Sequence, residues 1–360
     1  MKILHTSDFN LGKRFFNRDR FPETKAVLSE LVNIANERKP DVVLIAGNVF
    51  GGADDAPRFR EVLCDALSKL AAGGKRAVVL IGGKNDSAAE LKALVHLADK
   101  QGITVVSDVN FVPIKSNPLF LTKVTAAGRG YVEIVNESGE TALISVVPYI
   151  GAESGEDLND KAGGLLNGAP QEAKIKIALL ANGLFDFSDE KREGKLQKSL
   201  FDSYSYVALG GAENGKDGKF FASGGIMDYD FSETPPSVIF AELDAEGLKY
   251  AESLPLASAK RSKNVIVSDF DLAKEELKKY KDRYTRLFVS SGKPVQRASS
   301  AALQEEFPLL AGIVFSGAAA VYSPPGFIDP RDGKVFAAYL EKIGAESGLA
   351  EIFGTITEER

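Results

Sequence analysis

The first third of the chain alternates short apolar runs with longer amphipathic segments. The apolar runs are rich in Val, Ile and Leu without alternating polar residues, which is typical of strands covered on both faces. These runs lie at residues 2–7, 41–47, 76–82 and 103–107. The segments between them have the spacing of helices and lie at residues 21–39, 56–72 and 87–102. This order predicts a parallel sheet whose strands are joined by right-handed helical crossovers.

The middle of the chain predicts further strands. Their apolar runs lie at residues 142–150, 176–182, 206–210 and 219–224. Residues 237–256 have the pattern of a hairpin that turns between Asp244 and Gly247. The stretch 151–174 is polar and rich in glycine, so we expect a surface excursion there.

The last hundred residues have the pattern of a smaller unit followed by a tail. The charged segment 259–264 has the composition of a linker, and strand and helix patterns alternate again after it. Residues 335–359 have apolar side chains at helical spacing and predict a helical tail.

Composition narrows the classes of function. The 360 residues have a net charge of −6, which argues against nucleic-acid binding by the whole surface but allows a local basic patch. Cys64 is the one cysteine, so no internal disulfide can form, and a reduced, cytoplasmic compartment is expected. No segment has the length and apolar character of a membrane span. With only His5 and His96, the chain excludes any mechanism that needs several imidazoles.

Polar residues collect where the predicted strands end. Ligands of open parallel sheets bind beyond the carboxyl ends of the strands, so these segments are the candidate site. They read SDFN at 7–10, AGNVFGG at 46–52, GGKND at 82–86, ANGLF at 181–185 and GGAEN at 210–214.

In this order the segments resemble motifs of the calcineurin-like metallophosphoesterases, specifically the SbcD/Mre11 DNA-repair nucleases. MKILHTSDFNLG resembles the family's MKILHTSD-aromatic-HLG, LIAGNVF its LIAGDVFD, VVLIGGKND its VVVIAGNHD, YVALGGAEN its YVALGHIH and FFASGGIM its YSGSP segment. The resemblance implies an α/β fold, a sandwich of two β-sheets flanked by helices, with a small α/β capping domain and a C-terminal helical tail. It implies a nuclease-like domain at 1–262, a capping domain at 263–326 and a partner-binding tail at 327–360.

The departures from the family pattern fall on its metal ligands. The family binds two divalent ions, typically Mn²⁺, and Asp8 is the one ligand that this chain keeps. The resemblance implies that the other positions are replaced: Asn10 for a histidine, Asn48 for the bridging aspartate, Gly51 for an acid, Lys84 for the asparagine ligand, Asn85 for the catalytic histidine, Asn182 for a histidine, and Gly211 and Glu213 for the His-x-His pair.

These replacements remove the charge that two-metal hydrolysis requires. Two divalent ions about 3.5–4 Å apart repel each other, and a bridging carboxylate offsets that repulsion. Each nearby pair of unit charges is worth about 4 kcal/mol at an effective dielectric constant of about 20. We therefore expect no catalytic residue and no metal pair, at most one weakly bound divalent ion. We also expect the Lys84 ammonium to form an internal ion pair with Asp8, Asp86 or Glu213.

Two further segments are candidate binding surfaces. In LGKRFFNRDRF, residues 11–21, cations alternate with phenylalanines, which suits contact with phosphates and stacking on bases; a solvated loop with buried phenylalanines is equally compatible. The candidate DNA contacts are Lys13, Arg14, Arg18 and Arg20. The tail either packs on its own domain or, as the resemblance implies, docks on an SbcC/Rad50-like coiled-coil ATPase. Its candidate partner contacts are Phe336, Leu340, Ile343, Ile352 and Phe353.

The sequence therefore predicts a catalytically inactive SbcD/Mre11-like subunit with a structural or regulatory role in DNA double-strand-break processing. The resemblance implies an SbcC/Rad50-like partner, a homodimer, and DNA contact that is weak or made through the complex. Two alternatives stay open. One is a nuclease or phosphodiesterase that uses a single metal held by Asp8, Asn48 and Glu213. The other is a module that binds DNA or a nucleotide without cleaving it.

Overall fold

The structure is a computed structural model in which ten segments of the chain are described. They are residues 1–16, 18–51, 56–151, 158–170, 172–181, 183–185, 195–211, 214–231, 234–290 and 295–315. The predictions for Asn182, Glu213 and the tail contacts Phe336, Leu340, Ile343, Ile352 and Phe353 lie outside these residues. The chain divides into two compact units, Met1–Lys263 with Asp282–Tyr284, and Asn264–Lys281 with Thr285–Arg360. The boundaries predicted for a capping domain and a tail stay predictions.

The first sheet of the first unit contains the parallel strands expected from the apolar runs. Its strands are β1 Lys2–Thr6, β2 Val42–Ile45, β3 Ala77–Ile81, β4 Ile103–Val106, β12 Ser237–Asp244 and β13 Gly247–Pro255. Their order is β13-β12-β1-β2-β3-β4, with β1 to β4 parallel and β12 antiparallel to β1. The helices that connect the parallel strands are α1 Phe21–Arg38, α2 Ala56–Ala71 and α3 Ala88–Ala98. The predicted hairpin is confirmed, since β12 and β13 pair down to Asp244 and Gly247.

The second sheet has seven strands, several of which the apolar runs did not indicate. They are β5 Lys123–Gly128, β6 Tyr131–Val135, β7 Thr141–Val147, β8 Ile175–Leu180, β9 Tyr206–Leu209, β10 Asn214–Asp217 and β11 Phe220–Ser223, in the order β10-β11-β9-β8-β7-β6-β5. Sequence patterns missed β5, β6 and β10, which are largely half-buried and lack a long apolar run. The surface excursion expected over 151–174 is wrong in part, because helix α4, Leu158–Asn167, buries Leu165 and Leu166 against the core.

The first unit has two cores, one on each face of the first sheet. One core lies between the two sheets, and the other lies between the first sheet and its helices.

His5 joins the two sheets: its Nδ1 lies 3.1 Å from the Tyr206 hydroxyl and its Nε2 lies 3.2 Å from the Leu209 carbonyl oxygen. A carbonyl can only accept, so Nε2 donates and Nδ1 accepts from Tyr206. Complete burial lowers the pKa of His5 to about 3, so the ring is neutral at pH 7. The predicted α/β class with two sheets and flanking helices is confirmed.

The second unit is built on a three-stranded sheet. Its strands are β14 Ser262–Val267, β15 Tyr284–Val289 and β16 Leu310–Phe315, with β15 in the centre, and its helices are α5 Ala273–Lys278 and α6 Arg297–Glu306. Its core joins Val265, Val267, Leu287 and Val289 to residues of the two helices, such as Leu277 and Leu303. In the described segments of the whole chain, no helix is both long enough and apolar enough to cross a bilayer.

Candidate functional site

The loops that follow β1 and β2 meet where the sequence placed the candidate site. The Asp8 N–H donates to the Gly47 carbonyl and the Asn10 N–H donates to the Asn48 carbonyl, each at 3.0 Å. Asp8, Asn10 and Asn48 have φ angles of 51°, 46° and 52°. Aspartate and asparagine tolerate this left-handed conformation better than most residues, so these residue types suit the loop geometry as well as ligand chemistry.

Asp8 is 2% exposed, and two of the donors to its carboxylate are uncharged groups of described residues. The Asn48 side-chain amide donates to Oδ1 at 2.8 Å, and the Gly211 backbone N–H donates to Oδ2 at 2.8 Å. Three loops are thereby tied together, after β1, β2 and β9. Asn48, in the position where the resemblance implies a bridging aspartate, donates a hydrogen bond to Asp8 and adds no second negative charge.

Asn48 also reaches the loop after β3. Its Oδ1 accepts the Asn85 N–H at 3.0 Å, and the two loops approach closely through glycines. A Cβ on Gly83 would lie 2.2 Å from the Asn48 backbone nitrogen and 2.6 Å from its Oδ1. Gly47 has φ +86°, and a Cβ there would lie 2.8 Å from Gly83 Cα. The loop after β3 therefore packs on Asn48 only because residue 83 has no side chain.

Asp86 has a structural role that the sequence analysis missed. Its Oδ1 accepts the Phe50 N–H at 2.9 Å and its Oδ2 accepts the Gly83 N–H at 2.7 Å. Burial raises the pKa of Asp86, and hydrogen bonds from backbone N–H groups, Phe50 first, offset part of that rise. The sequence pattern that could have predicted this role is an aspartate three residues after Gly83, a spacing at which the carboxylate can accept the Gly83 N–H and close the turn.

The ion pair expected for Lys84 with Asp8 or Asp86 is wrong. Lys84 is exposed, and in the described part of the chain it forms no ion pair. The physical reason is the direction of the loop: Asn85 N–H and Asp86 turn inward to the neighbouring loops, while Lys84 and the Asn85 side chain point outward. Glu213, its third expected partner, is outside the described residues.

Asn10 and Gly51 close the other side of the site. The Asn10 side-chain amide donates to the Asp8 carbonyl at 3.1 Å, a contact within the loop that follows β1. A Cβ at Gly51 would lie 2.8 Å from Lys13 Cβ and 2.9 Å from the Asn10 carbonyl oxygen. An acidic side chain at residue 51 would therefore require this loop to move. At Gly211, by contrast, a Cβ would meet no atom within 4 Å.

The described donors in this site do not suit a pair of divalent ions. Among the described residues, no three His, Cys, Asp or Glu side chains are placed to hold a metal. Asp8 is the carboxylate at the centre, and both its oxygens already accept hydrogen bonds. Amide oxygens such as that of Asn48 are poorer ligands than imidazole or carboxylate for transition metals such as Mn²⁺.

The structure removes Arg20 from the candidate DNA contacts. Its side chain is 1% exposed and its guanidinium lies 2.6 Å from the Glu23 carboxylate. The guanidinium also lies over the rings of Phe15, Tyr229 and Tyr284, at 5.3, 4.7 and 4.7 Å from their centres. Burial lowers the pKa of Arg20, but the hydrogen bond and the charge of Glu23 outweigh it, so the pKa is raised. We call Arg20, Glu23 and these three rings the arginine cluster.

The rest of the basic loop is accessible in part. Lys13 and Arg14 are exposed and Arg18 is half-buried. The Lys13 ammonium lies 4.7 Å from the centre of the Tyr229 ring. Phe15 is buried in the arginine cluster, whereas Phe16 is 46% exposed. Lys13, Arg14 and Phe16 are thus the exposed members of this loop, and the DNA contact itself stays a prediction.

Similarity to known families agrees with the motifs at these loops. Residues 1–157 match the family described as calcineurin-like phosphoesterase. These matched residues include Asp8, Asn48 and Lys84. The similarity agrees with the phosphoesterase motifs identified in this part of the sequence.

Individual relatives share shorter or weaker similarity with the chain. The D subunit of the nuclease SbcCD from Bacillus subtilis (strain 168) is 33% identical over 114 residues, which are 32% of this chain and 29% of that protein. The chain thus spans less than a third of that relative's length. Among solved structures, the protein TT1561 of Thermus thermophilus has a TM-score of 0.41 and 14% identity, covering 71% of this chain and 98% of that one. A dimetal phosphatase from Danio rerio has a TM-score of 0.38 and 13% identity, covering 71% and 99%.

Proposed function

We propose that this chain is a non-catalytic, SbcD-like subunit that supports DNA-end processing. The observation that supports the proposal is the hydrogen bonding of Asp8: its carboxylate accepts from the Asn48 amide and from the Gly211 N–H. A carboxylate engaged in this way helps to hold three loops in place, as a structural residue does, and its oxygens are directed at protein donors.

The physical argument concerns the charge that a two-metal site needs. Two divalent ions bring four positive charges into one pocket, and carboxylates must offset their mutual repulsion. Here residue 48 has become an amide that donates to Asp8, and Gly51 leaves no room for an acid. The described residues therefore offer a hydrogen-bonded network in the place where the family's catalytic centre is expected.

The proposed biological role is that of a scaffold. The B. subtilis relative is named as one subunit of a nuclease, SbcCD, and this chain resembles part of it. We propose that the chain binds an SbcC/Rad50-like ATPase through its tail, pairs with a second copy of itself, and contacts DNA through Lys13 and Arg14. Both of these side chains are exposed.

A cleavage assay with the full chain tests the proposal. Linear double-stranded DNA is incubated with Mn²⁺ and either the wild-type protein or the Asp8→Asn variant. The proposal expects the same background rate for both. Mn²⁺-dependent cleavage that Asp8→Asn abolishes would instead establish the one-metal nuclease. DNA binding without cleavage that weakens steeply with salt, and weakens further in Lys13→Ala and Arg14→Ala, would support the phosphate contacts.

Partner binding needs a separate experiment. The full chain is co-expressed with an SbcC/Rad50-like coiled-coil ATPase, and complex formation is measured for wild type, Leu340→Glu and Glu341→Gln. Loss of the complex only in Leu340→Glu supports the tail contact, and retention in all three contradicts it.

A further inference from the structure

The small sheet of the second unit has one covered face and one open face. Val265 and Val267 of β14 and Leu287 and Val289 of β15 point to the helices α5 and α6 and are buried. Successive side chains of a strand point to opposite faces, so the residues between them form the other face. Ile266 on that face is 73% exposed, against 4% for each of its neighbours Val265 and Val267.

An apolar row crosses all three strands on the open face. Phe288 and Val314 are directly opposite each other in the pairing of β15 with β16. The hydrogen bonds from Tyr284 N–H to Arg261 O and from Ser290 N–H to Val267 O set the same offset between β14 and β15. That offset places Ile266 beside Phe288. We call Ile266, Phe288 and Val314 the apolar row; Val314 is 41% exposed and Phe288 is half-buried.

The dimensions of the open face match a single helix. Neighbouring strands lie about 4.8 Å apart, so the outer strands of three lie about 10 Å apart. A helix with its side chains is about 10 Å wide. An apolar row of this kind gains free energy when an amphipathic helix covers it, because apolar surface is removed from water.

The sequence after this face contains an amphipathic segment. The last described residue, Phe315, lies in the edge strand β16, and residues 316–360 follow it in the sequence. Residues 335–353 contain apolar side chains at helical spacing, with Phe336, Leu340 and Ile343 as one group. A linker of roughly 20 residues can span roughly 25 Å, so the number of residues between Phe315 and this segment is sufficient to reach any part of the face.

Charge also favours this occupant. Arg286 precedes Phe288 by two residues on the central strand, so it flanks the middle of the apolar row on the open face, with its guanidinium 5.0 Å from the centre of the Phe288 ring. Its Nε also donates to Asn264 Oδ1 at 3.0 Å. Residues 335–353 contain the acids Glu341, Glu346 and Glu351 and one cation, Lys342, so the segment carries net negative charge and the face carries a cation beside the row.

We propose that residues 335–353 dock as an amphipathic helix on the open face of the small sheet of their own chain, with Leu340 against the apolar row. This inference does not depend on the proposed function, since it needs neither DNA nor an ATPase. If the proposed function and this docking both hold, an ATPase that binds Leu340 must displace residues 335–353 from the sheet. Without the ATPase, the sheet of the same chain covers the apolar side chains of this segment.

Disulfide trapping in the full chain tests the docking. Cys64 is the one natural cysteine, so Cys64→Ser gives a background without thiols. Into it go Ile266→Cys with Leu340→Cys, or the control pair Leu272→Cys with Leu340→Cys. Leu272 is 51% exposed and lies beside α5, on the covered side of the sheet. Ile266 and Leu272 are both exposed apolar side chains on the same unit, so neither substitution should unfold it.

The rate of intramolecular cross-linking under mild oxidation decides the result. In both pairs the two cysteines belong to one chain, so chain connectivity raises both cross-linking rates to a similar extent. Docking is therefore measured by how much faster the 266–340 pair closes than the 272–340 pair. We expect the 266–340 pair to close at least about tenfold faster than the control pair, as a docked segment exceeds the mM effective concentration of a free tether. Equal rates for the two pairs would overturn the proposal, and a cross-linked dimer in place of the monomer would overturn it by assigning the face to a second copy.

Hydrogen exchange provides a second readout without cysteines. The full chain and its Leu340→Glu variant are compared for protection of the peptides that cover β14 and β16. Faster exchange at the edge strands in the variant supports docking. Unchanged exchange there contradicts it, even if cross-linking is fast.

Discussion

The loops around Asp8 and the arginine cluster both bury a charged side chain, but they satisfy it in different ways. Asp8 accepts hydrogen bonds from an amide and a backbone N–H, both uncharged. Arg20 pairs with the Glu23 carboxylate, and Glu23 also accepts the Tyr284 hydroxyl and the Lys260 N–H. The first region has adapted to few charges, and the second depends on a complete charge pair. The comparison teaches that a buried carboxylate can be held in place by hydrogen bonds from an amide and a backbone N–H, whereas a buried guanidinium is held here by a carboxylate.

The largest effect should come from breaking the charge pair. Arg20→Met leaves Glu23 buried beside rings with no cation, and breaking a buried pair in this way costs about 3–5 kcal/mol. Urea unfolding of the full chain measures the loss. The control is Arg38→Met, whose partner Glu252 is partly solvated, with side-chain exposures of 42% and 26%. We expect at most about 1 kcal/mol there, and equal losses in the two variants would contradict the account.

Closing the space between the loops should cost less. Gly83→Ala places a Cβ 2.2 Å from the Asn48 nitrogen, so the loops after β2 and β3 must separate. Overpacking of this kind costs about 3 kcal/mol at the upper end of its usual range. Gly211→Ala is the matched control in the same site, because its Cβ meets nothing within 4 Å, and we expect a change within about 0.5 kcal/mol. An unchanged free energy of unfolding in Gly83→Ala would contradict this prediction and show that the two loops are not closely packed.

Acidification should weaken the link between the sheets at His5. Its pKa is lowered to about 3 by burial, so the folded state takes up fewer protons than the unfolded state, whose histidine titrates near 6.5. The contribution of neutral His5 is complete above pH 6.5 and is lost progressively between pH 6.5 and about 3, amounting to about 2 kcal/mol at pH 5. Unfolding free energies at pH 7 and pH 5 should therefore differ more for wild type than for His5→Gln. If the unfolding free energy changes equally between pH 7 and pH 5 in both proteins, groups other than His5 cause the pH dependence.

The smallest effect concerns Asp86. Burial raises its pKa in the folded state, so the folded protein binds that proton more tightly than the unfolded chain does. The stability of wild type relative to Asp86→Asn should therefore increase as the pH falls through the folded-state pKa of Asp86. A relative stability that decreases over the same window would mean that the backbone hydrogen bonds from Phe50 and Gly83 outweigh burial.

The sequence predicted the parallel strands and the place of the site, because both depend on local patterns. Apolar runs such as 41–47 predict strands, and polar residues after them must meet at one edge of a parallel sheet. The direction of individual side chains depends on tertiary packing. Lys84 follows two glycines in the sequence, and this local pattern does not determine the direction of its side chain. In the structure Asn48 accepts the Asn85 N–H, and Lys84 is exposed. The burial of Arg20 likewise requires Tyr229 and Tyr284, which are more than 200 residues away and leave no local signal. Strands β5 and β6 were missed because their faces are only partly covered.

We propose that the described residues around Asp8 hold its carboxylate with hydrogen-bond donors and do not bind a pair of divalent ions. Titration of the full chain with Mn²⁺, followed by the paramagnetic resonance signal of the free ion, tests this directly against the Asp8→Asn variant. The account predicts at most one weakly bound ion for wild type, with little change in the variant. Two tightly bound ions per chain in wild type, both lost in Asp8→Asn, would contradict it.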